Sequence, residues 1–534
     1  MGNPKATEHV VRSGVSRRSF VKSLGLGAAG LGAFALAGCA ADGSNGSASA
    51  SDKWDHEADV VVVGTGTAGV AAAKTALDAG ATVIMVEKEA AAGGVSSVCE
   101  QYCAFDSDLH LPQNFDDVED SAELMLQDAM RVSGGTADEK LAKVYCDKSA
   151  EGINWMLEQG CEFKETLRIS DGRAGQGKYI LATPGDLTMK VLASIEAQGG
   201  EILTKTPLSS IVRDGETGRV VGIRCDEDKV GIKANKGVVI CTGPWGNDEV
   251  LTARHTKVLP DIVNECADTL ASFGMPYGPY TGEAIIAAQK AGAAVRHMEY
   301  MMYDPYYSVP EIMSQKILPA GLTRAVNQIL VTSEGKRFTD EGADRGAIAL
   351  DIIDVLPDHV CYPIIDGRHL PDPTGSTKVD AEKAAKLSEA GVLASGDTIE
   401  ALAADMEAKF GTPASAILET VARYNEFCAT GSDAEFGKDP HLMTPIDQPP
   451  FVAGPAETAI PMSTHGGLEI NEEARVIDVE GNPIPGLFAA GMCTGGVLGT
   501  STTSGNWQMS GLVYGRIAGE LAAYRTKSVS DFGR

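Results

Sequence analysis

The chain is short of positive charge. Its 45 lysines and arginines stand against 73 aspartates and glutamates, a formal net charge of −28 over 534 residues. Such a surface repels the phosphate backbone of nucleic acid and gains nothing from an anionic bilayer. Two cysteine signatures are also missing. There is no Cys-x-x-Cys-His, which would attach a c-type haem, and no Cys-x-x-Cys-x-x-Cys run of a ferredoxin-type cluster. The eleven cysteines read as free, largely buried thiols, suited to an anaerobic or weakly oxidising compartment. Cys99 and Cys103 lie close enough to contribute to an iron–sulfur site, but only with distant partners. Beyond residue 38 no apolar run is long enough to span a bilayer.

The first 38 residues read as an address, not as structure. Ser16-Arg17-Arg18, with Phe20 and Lys22, is a twin-arginine pattern, and the apolar run from Leu24 to Gly38 follows it. Leu36-Ala37-Gly38-Cys39 is similar to a bacterial lipobox, with Cys39 as the lipidated residue. An uncleaved anchor, or cleavage without lipid, suits the same residues. Removing residues 1–38 takes away five basic residues and one acid, which moves the net charge from −28 to −32. Residues 39–57 then form a flexible tether rich in serine, glycine and alanine. The expectation is a protein exported folded by the twin-arginine route. It would be held by a lipid anchor on the extracytoplasmic face of the membrane, in the cell envelope.

The most informative stretch comes next. Asp59-Val-Val-Val-Val63 reads as a buried strand, Gly64, Gly66 and Gly69 as a tight turn, and the following alanines as a helix. Val83-Ile-Met-Val86 is a second strand, ending in Glu87 and Lys88. A lone Gly-x-Gly-x-x-Gly is weak evidence, but here strand, turn, helix, strand and acid fall in order. Gly64 makes the turn, Gly66 lets backbone approach a pyrophosphate, and Gly69 lets helix pack on strand. Thr67 and Ala68 then begin a helix whose free N–H groups face the phosphates, and Glu87 is placed to accept from ribose hydroxyls. Gly93, Gly94, Ser96 and Ser97 form a small-residue loop fit to lie along a pyrophosphate or a ring.

Which dinucleotide binds is decided far along the chain. A strand ending in Thr242 and Gly243 returns the chain to the sheet, and Gly282 marks a further turn. Near the C-terminus Gly486 to Gly491 reads as a strand and turn. Met492 and more glycines follow, and Gly505-Asn506 opens a last helix. A nicotinamide needs no such distant return. A flavin does, because its ribityl chain and ring extend past the pyrophosphate to a second helix N-terminus. FAD is therefore the expected cofactor. No histidine lies near Gly93-Gly94, so the expected attachment is non-covalent.

These motifs, with Tyr280-Thr-Gly282-Glu283, Gly335-Lys-Arg337-Phe338 and Gly466-Gly467, resemble a known flavoprotein family. It comprises soluble fumarate reductases, succinate dehydrogenase flavoprotein subunits, urocanate reductase and 3-ketosteroid dehydrogenases, and the likeness runs over residues 58–525. The resemblance implies an α/β protein with a Rossmann-like FAD-binding domain built from both chain ends, 58–298 and 456–526. An α+β cap would be inserted over 299–455. It also implies hydride transfer from flavin N5 to an activated C=C bond, with a proton delivered by a cap arginine. Arg368, after the strand ending in Asp366, matches the donor, and Glu341 with Arg345 matches the relay that reloads it. The same arginines also suit structural ion pairs.

The departures narrow the substrate. Thr502 stands where fumarate reductases carry a carboxylate-clamping arginine. Met462 or Ser463 stands where a histidine is expected, with His465 nearby but out of register. Met302 and Asp304 replace a glutamine and a histidine at the cap entrance. The cationic cradle for two carboxylates is gone, and Asp304 repels them. Around it stand Tyr277, Tyr280, Tyr300, Met301, Met302, Tyr303, Tyr306 and Tyr307, which suit either a packed core or a pocket for a bulkier acceptor. The leading expectation is a reductase of an enone, lactone or aryl acrylate, fed by a membrane cytochrome or quinol-linked donor. A ketosteroid-type dehydrogenase running in the oxidative direction, and a flavin electron-transfer subunit without catalysis of its own, stay open.

Overall fold

Four consecutive valines, Val60 to Val63, are β-branched and apolar on both sides of the chain, which suits only a strand covered on both faces. They end the strand His56–Val63, which pairs in parallel with Val83–Val86 on one side and Val230–Ile240 on the other. Sheet order runs Arg475–Ile477, Pro483–Ala489, Val230–Ile240, His56–Val63, Val83–Val86, Glu201–Leu203. The hairpin Leu208–Arg213 and Val220–Cys225 pairs onto the start of Val230–Ile240. A strand from residues 483–489 thus lies beside one from 230–240 and two places from the first strand. Both ends of the chain build one sheet.

The computed structural model describes residues 53–97, 101–105, 121–169, 178–182, 185–256, 280–309, 328–370, 379–503 and 505–524. The expected signal, most of the tether, Cys39, Cys99 and Tyr277 lie outside the described residues, and the side chains of Met462, Tyr306 and Tyr307 also lie outside the description. Among the described residues no helix is long and apolar enough to cross a membrane. Among the described residues no group of three or more histidine, cysteine, aspartate and glutamate side chains is placed to hold a metal.

Two helices cover the nucleotide end of the sheet. The first, Thr67–Asp78, follows the glycine turn, and the last, Asn506–Ala523, packs along it. Gly511, Gly515 and Gly519 fall four apart on one face of the last helix. A Cβ at Gly515 would sit 2.4 Å from the Ala68 carbonyl oxygen, and one at Gly519 would sit 2.1 Å from that of Ala72. The alanines of the first helix and the glycines of the last therefore meet backbone to backbone.

Residues 329–453 hold a separate four-stranded sheet, ordered Ile329–Val331, Tyr362–Ile365, Phe451–Ala453, Ala394–Gly396. It carries its own hydrophobic clusters, with Leu402, Met406, Ile417 and Val421 from the helices Ile399–Phe410 and Ala414–Thr430. A two-stranded antiparallel ribbon, Met301–Ser308 with Glu457–Thr464, flanks this insertion at both ends. The helix Arg345–Val355 packs on both ribbon strands.

The crossing of the two helices yields a stability test. Gly519→Ala is expected to lower urea stability of the FAD-loaded protein by about 1–3 kcal/mol, because a methyl has no room against a carbonyl. Gly199→Asn, at a left-handed turn with open space around it, is expected to stay within about 0.5 kcal/mol. Equal effects of the two changes would show that the close crossing does not limit stability.

Candidate active site

The glycine turn is shaped by what lies behind it. Gly64 has a positive φ of 101°, and a Cβ there would strike the Cys241 carbonyl oxygen at 2.3 Å. Gly69 is equally constrained, with the Gly64 carbonyl oxygen 2.1 Å from its would-be Cβ. Strand end and helix start are locked together, leaving Gly66 and Gly94 on the side facing the second loop. That loop is tied in by Ser96, whose hydroxyl accepts from the Thr67 N–H at 3.1 Å. Ser97 caps its own turn by donating to the Gly94 carbonyl.

Glu87 is buried at the end of the second strand. One carboxylate oxygen accepts from the Thr65 hydroxyl at 2.5 Å, and the other accepts from the Glu89 N–H. Thr65 in turn accepts from the Gly93 N–H at 2.9 Å, so one hydroxyl joins both loops. The sequence reading missed Thr65 because the variable position of the glycine motif was read only for its neighbours. Lys88 pairs with Glu283 at 3.2 Å and donates to Thr281. It therefore joins the strand end to the helix Glu283–Lys290, whose N-cap is Gly282.

A dinucleotide-shaped flavin fits these residues. The first and last helices both start at a glycine with no capping side chain, Gly66 and Gly505, which leaves N–H groups for phosphate or ring oxygens. The Thr67 hydroxyl and the Asn506 side-chain oxygen are buried without a protein partner, where a ligand supplies one. Gly243, at φ 74°, faces open space, and Gly491 abuts Ala68 of the first helix, with Met492 following it. The Asn506 amide donates to Thr502 and Thr503, bracing the glycine segment against the helix start.

A second constellation lies at the same helix start. Trp507 donates its indole N–H to His465 Nε2 at 2.8 Å. His465 Nδ1 lies 2.8 Å from the Gly499 carbonyl and so carries the proton. Burial pushes this histidine down to about 4, against the weaker opposing effect of the Gly499 bond, so it is neutral at pH 7. The guanidinium of Arg345 sits 5.3 Å over the Trp507 ring and 3.5 Å from Asp304. Arg345 opens a helix, where the macrodipole opposes a cation. Asp304 and the N-cap Asp344 offset that. Asp344 also accepts from the Ser501 hydroxyl at 2.8 Å, tying this helix start to the segment holding Thr502.

The ribbon carries Met302 opposite Ser463, Tyr303 opposite Pro461 and Asp304 opposite Ile460. Met301, Met302 and Tyr303 are nearly wholly buried, Met302 at 1% exposure. Met302 and Tyr303 share this buried strand with Asp304, packed on one side by the helix Arg345–Val355.

The expected relay is rearranged. Glu341 faces Arg337, four residues before it, and not Arg345. The Arg337 Nε and a terminal nitrogen reach the two carboxylate oxygens at 2.9 and 2.8 Å. Arg337 also binds Asp433, and Lys438 lies 3.5 Å from Glu341, all within the insertion. Burial pulls the Arg337 pKa down, but its two carboxylates win and hold it above the ordinary value. A buried quartet of two cations and two anions absorbs Glu341. The periodicity gave no hint of it, since Asp433 and Lys438 lie about a hundred residues away. Arg368 sits in the short turn Gly367–His369, paired with Asp366 at 3.0 Å and with Asp447. Its Nε is buried without a partner.

Two outcomes follow from these contacts. Thr65→Val is expected to weaken FAD binding by roughly 10- to 100-fold in a fluorescence titration, since a bond to a charged group is lost (about 1.5–3 kcal/mol). Thr65→Ser should restore it, and an unchanged Kd for the valine variant would show that the two loops hold without that hydroxyl. His465 is held neutral well below its usual 6.5. Its contribution to stability is therefore full above pH 6.5 and is lost as pH falls from about 6.5 to about 4. The expected loss is roughly 3 kcal/mol. His465→Asn should flatten that acid limb in denaturant titrations, whereas an identical limb would assign the loss to other groups.

Comparison with known proteins gives the same picture at larger scale. The FAD binding domain family matches residues 59–507. Urocanate reductase of Eggerthella lenta is 28% identical over 88% of this chain and 75% of its own length. Digoxin reductase of the same organism is 27% identical, over 96% of this chain and 98% of its own. The structure of the open conformation of a flavocytochrome c3 fumarate reductase superposes with a TM-score of 0.67 at 26% identity, over 89% of this chain and 79% of the other. With turn, sheet and second helix start all in place, the chain belongs to the FAD binding domain family and is an FAD-dependent oxidoreductase.

Proposed function

We propose that this enzyme reduces an activated C=C bond in an uncharged or singly charged organic acceptor, such as an enone, an unsaturated lactone or an aryl acrylate. One observation carries the reading: the arginine over Trp507 at the start of the last helix, Arg345, is already paired with Asp304. His465 beside it is neutral, and Thr502 offers a hydroxyl where a dicarboxylate needs a cation. A second carboxylate of a substrate would find no unpaired charge in this group of residues. The names of two relatives, urocanate reductase and digoxin reductase, agree with a family whose acceptors vary widely.

Bound FAD supplies the hydride. The chain supplies the proton and the shape. Arg368 is the proposed donor to the carbon next to the one that accepts hydride. An arginine gives up a proton only where its neighbours stabilise the neutral form or return the proton at once. Asp366 fixes it by accepting from its backbone N–H and its guanidinium. Trp507, its indole N–H held by His465, stands at the start of the last helix, where it would offer an apolar face.

We further propose that the enzyme works outside the cytoplasmic membrane, exported through its twin-arginine segment and tethered by a lipid on Cys39. With no haem-attachment motif of its own, it would take electrons from a membrane cytochrome or a quinol-linked donor.

The reading is tested by photoreducing the holoenzyme anaerobically and following flavin reoxidation with a panel of acceptors. Fast reoxidation by an enone, lactone or acrylate and slow reoxidation by fumarate is the expected result. Fast reoxidation by fumarate would overturn the reading of Asp304 and Thr502. Arg368→Ala and Arg368→Lys should each slow the acceptor step by roughly 10²-fold or more. Undiminished rates would remove Arg368 from the proton path.

A further inference from the structure

The bond between Trp507 and His465 is the inner end of a longer chain. His465, 2% exposed, donates Nδ1–H to the Gly499 carbonyl at 2.8 Å. The same peptide unit holds the N–H of Thr500, which donates outward to the Thr136 hydroxyl at 2.9 Å. Thr136 in turn donates to the carbonyl of Ser133, the C-cap of the helix Ala122–Val132. Every donor from the indole to Thr136 points the same way, so each bond polarises the next. The chain ends on helix C-terminal carbonyls, the negative end of a dipole. That polarity favours the tautomer of His465 with its proton on Nδ1 and Nε2 left to accept from the indole. The turn 133–138 grips the glycine segment at further points. The Asp138 N–H donates to the Gly496 carbonyl at 2.8 Å, with Asp138 itself paired to Arg296, and the Thr500 hydroxyl donates to Ser133. A Cβ at Gly499 would lie 2.6 Å from the Ala137 nitrogen, so turn and segment meet backbone to backbone.

We propose that Thr136, on a turn 364 positions from Thr500 in sequence, is a positioning residue for Trp507. It fixes the Gly499–Thr500 peptide, the peptide fixes the ring of His465, and His465 fixes the plane of the indole. The indole face so held is the one offered to the organic substrate. Contact with a substrate rests on the C=C reductase reading, whereas the orientation of the indole does not.

The test uses the FAD-loaded full chain, with its four tryptophans and its histidines labelled with nitrogen-15 for NMR. The indole N–H resonance missing from Trp507→Phe, and the ring resonances missing from His465→Asn, assign the two groups. In Thr136→Val the Trp507 N–H should exchange with water roughly 5-fold faster, in keeping with the loss of one hydrogen bond. The His465 nitrogens should shift toward the other tautomer. Thr136→Ser keeps the hydroxyl and should restore both. Thr500→Val removes a hydroxyl bond of the same turn but leaves the peptide N–H, and should leave the indole unchanged. With a substrate that the wild type reduces, Thr136→Val should raise KM by roughly 5-fold while kcat and flavin content hold. An unaltered indole and tautomer in Thr136→Val, no rescue by serine, or equal effects of the two valine changes would each overturn the positioning role. An altered indole with an unchanged KM would overturn the substrate contact. A wild-type enzyme that reduces no substrate in the panel would remove the C=C reading, and the NMR arms would still decide what holds the indole.

Discussion

Gly515 and Gly519 lie so close to the carbonyls of Ala68 and Ala72 that no side chain fits between the first helix and the last. That contact joins residues separated by more than four hundred positions. It aligns two helix starts, at Gly66 and Gly505, on one side of the sheet. Each start presents unsatisfied N–H groups and the positive end of a helix dipole. FAD, with a pyrophosphate between its adenosine and its flavin, would be held by both. The sheet serves the same geometry, since strands from both chain ends lie parallel and adjacent with Val63, Ile240 and Ala489 in register.

The proposed substrate side depends on charge compensation. Arg345, Asp304, Trp507 and His465 form one connected group in which each member is spoken for by the next. Its net charge is zero, since the histidine is neutral and the aspartate cancels the arginine. Under the proposed function, this sets the group apart from a cradle built for a dianion. The Arg337–Glu341–Asp433–Lys438 quartet is also neutral but plays a different part. It lies inside the insertion, out of solvent, where removing one member would leave a buried charge unpaired.

The nucleotide end was legible from the residues because its constraints are local. A turn that needs Gly64 at positive φ, a helix that needs Gly69 small, and an acid ending the next strand all fall within thirty residues. The proposed catalytic end was legible by composition more than by geometry. Arg345, Arg368, Asp304 and His465 could each be singled out, yet their partners could not. Trp507 belongs to no motif, and its bond to His465 spans 42 positions.

Sequence by itself determined the nucleotide turn and, through a second glycine-rich strand and helix start, the cofactor class, because each of these two signals is local. Tertiary structure decided how the charges pair. Glu341 has arginines four residues away on either side, so helical or loop spacing favours neither. The choice of Arg337 follows from Asp433 and Lys438, brought in by the fold of the insertion. Pairing energies inside a protein depend on burial and on all neighbouring charges at once, which is information the linear order of residues does not carry.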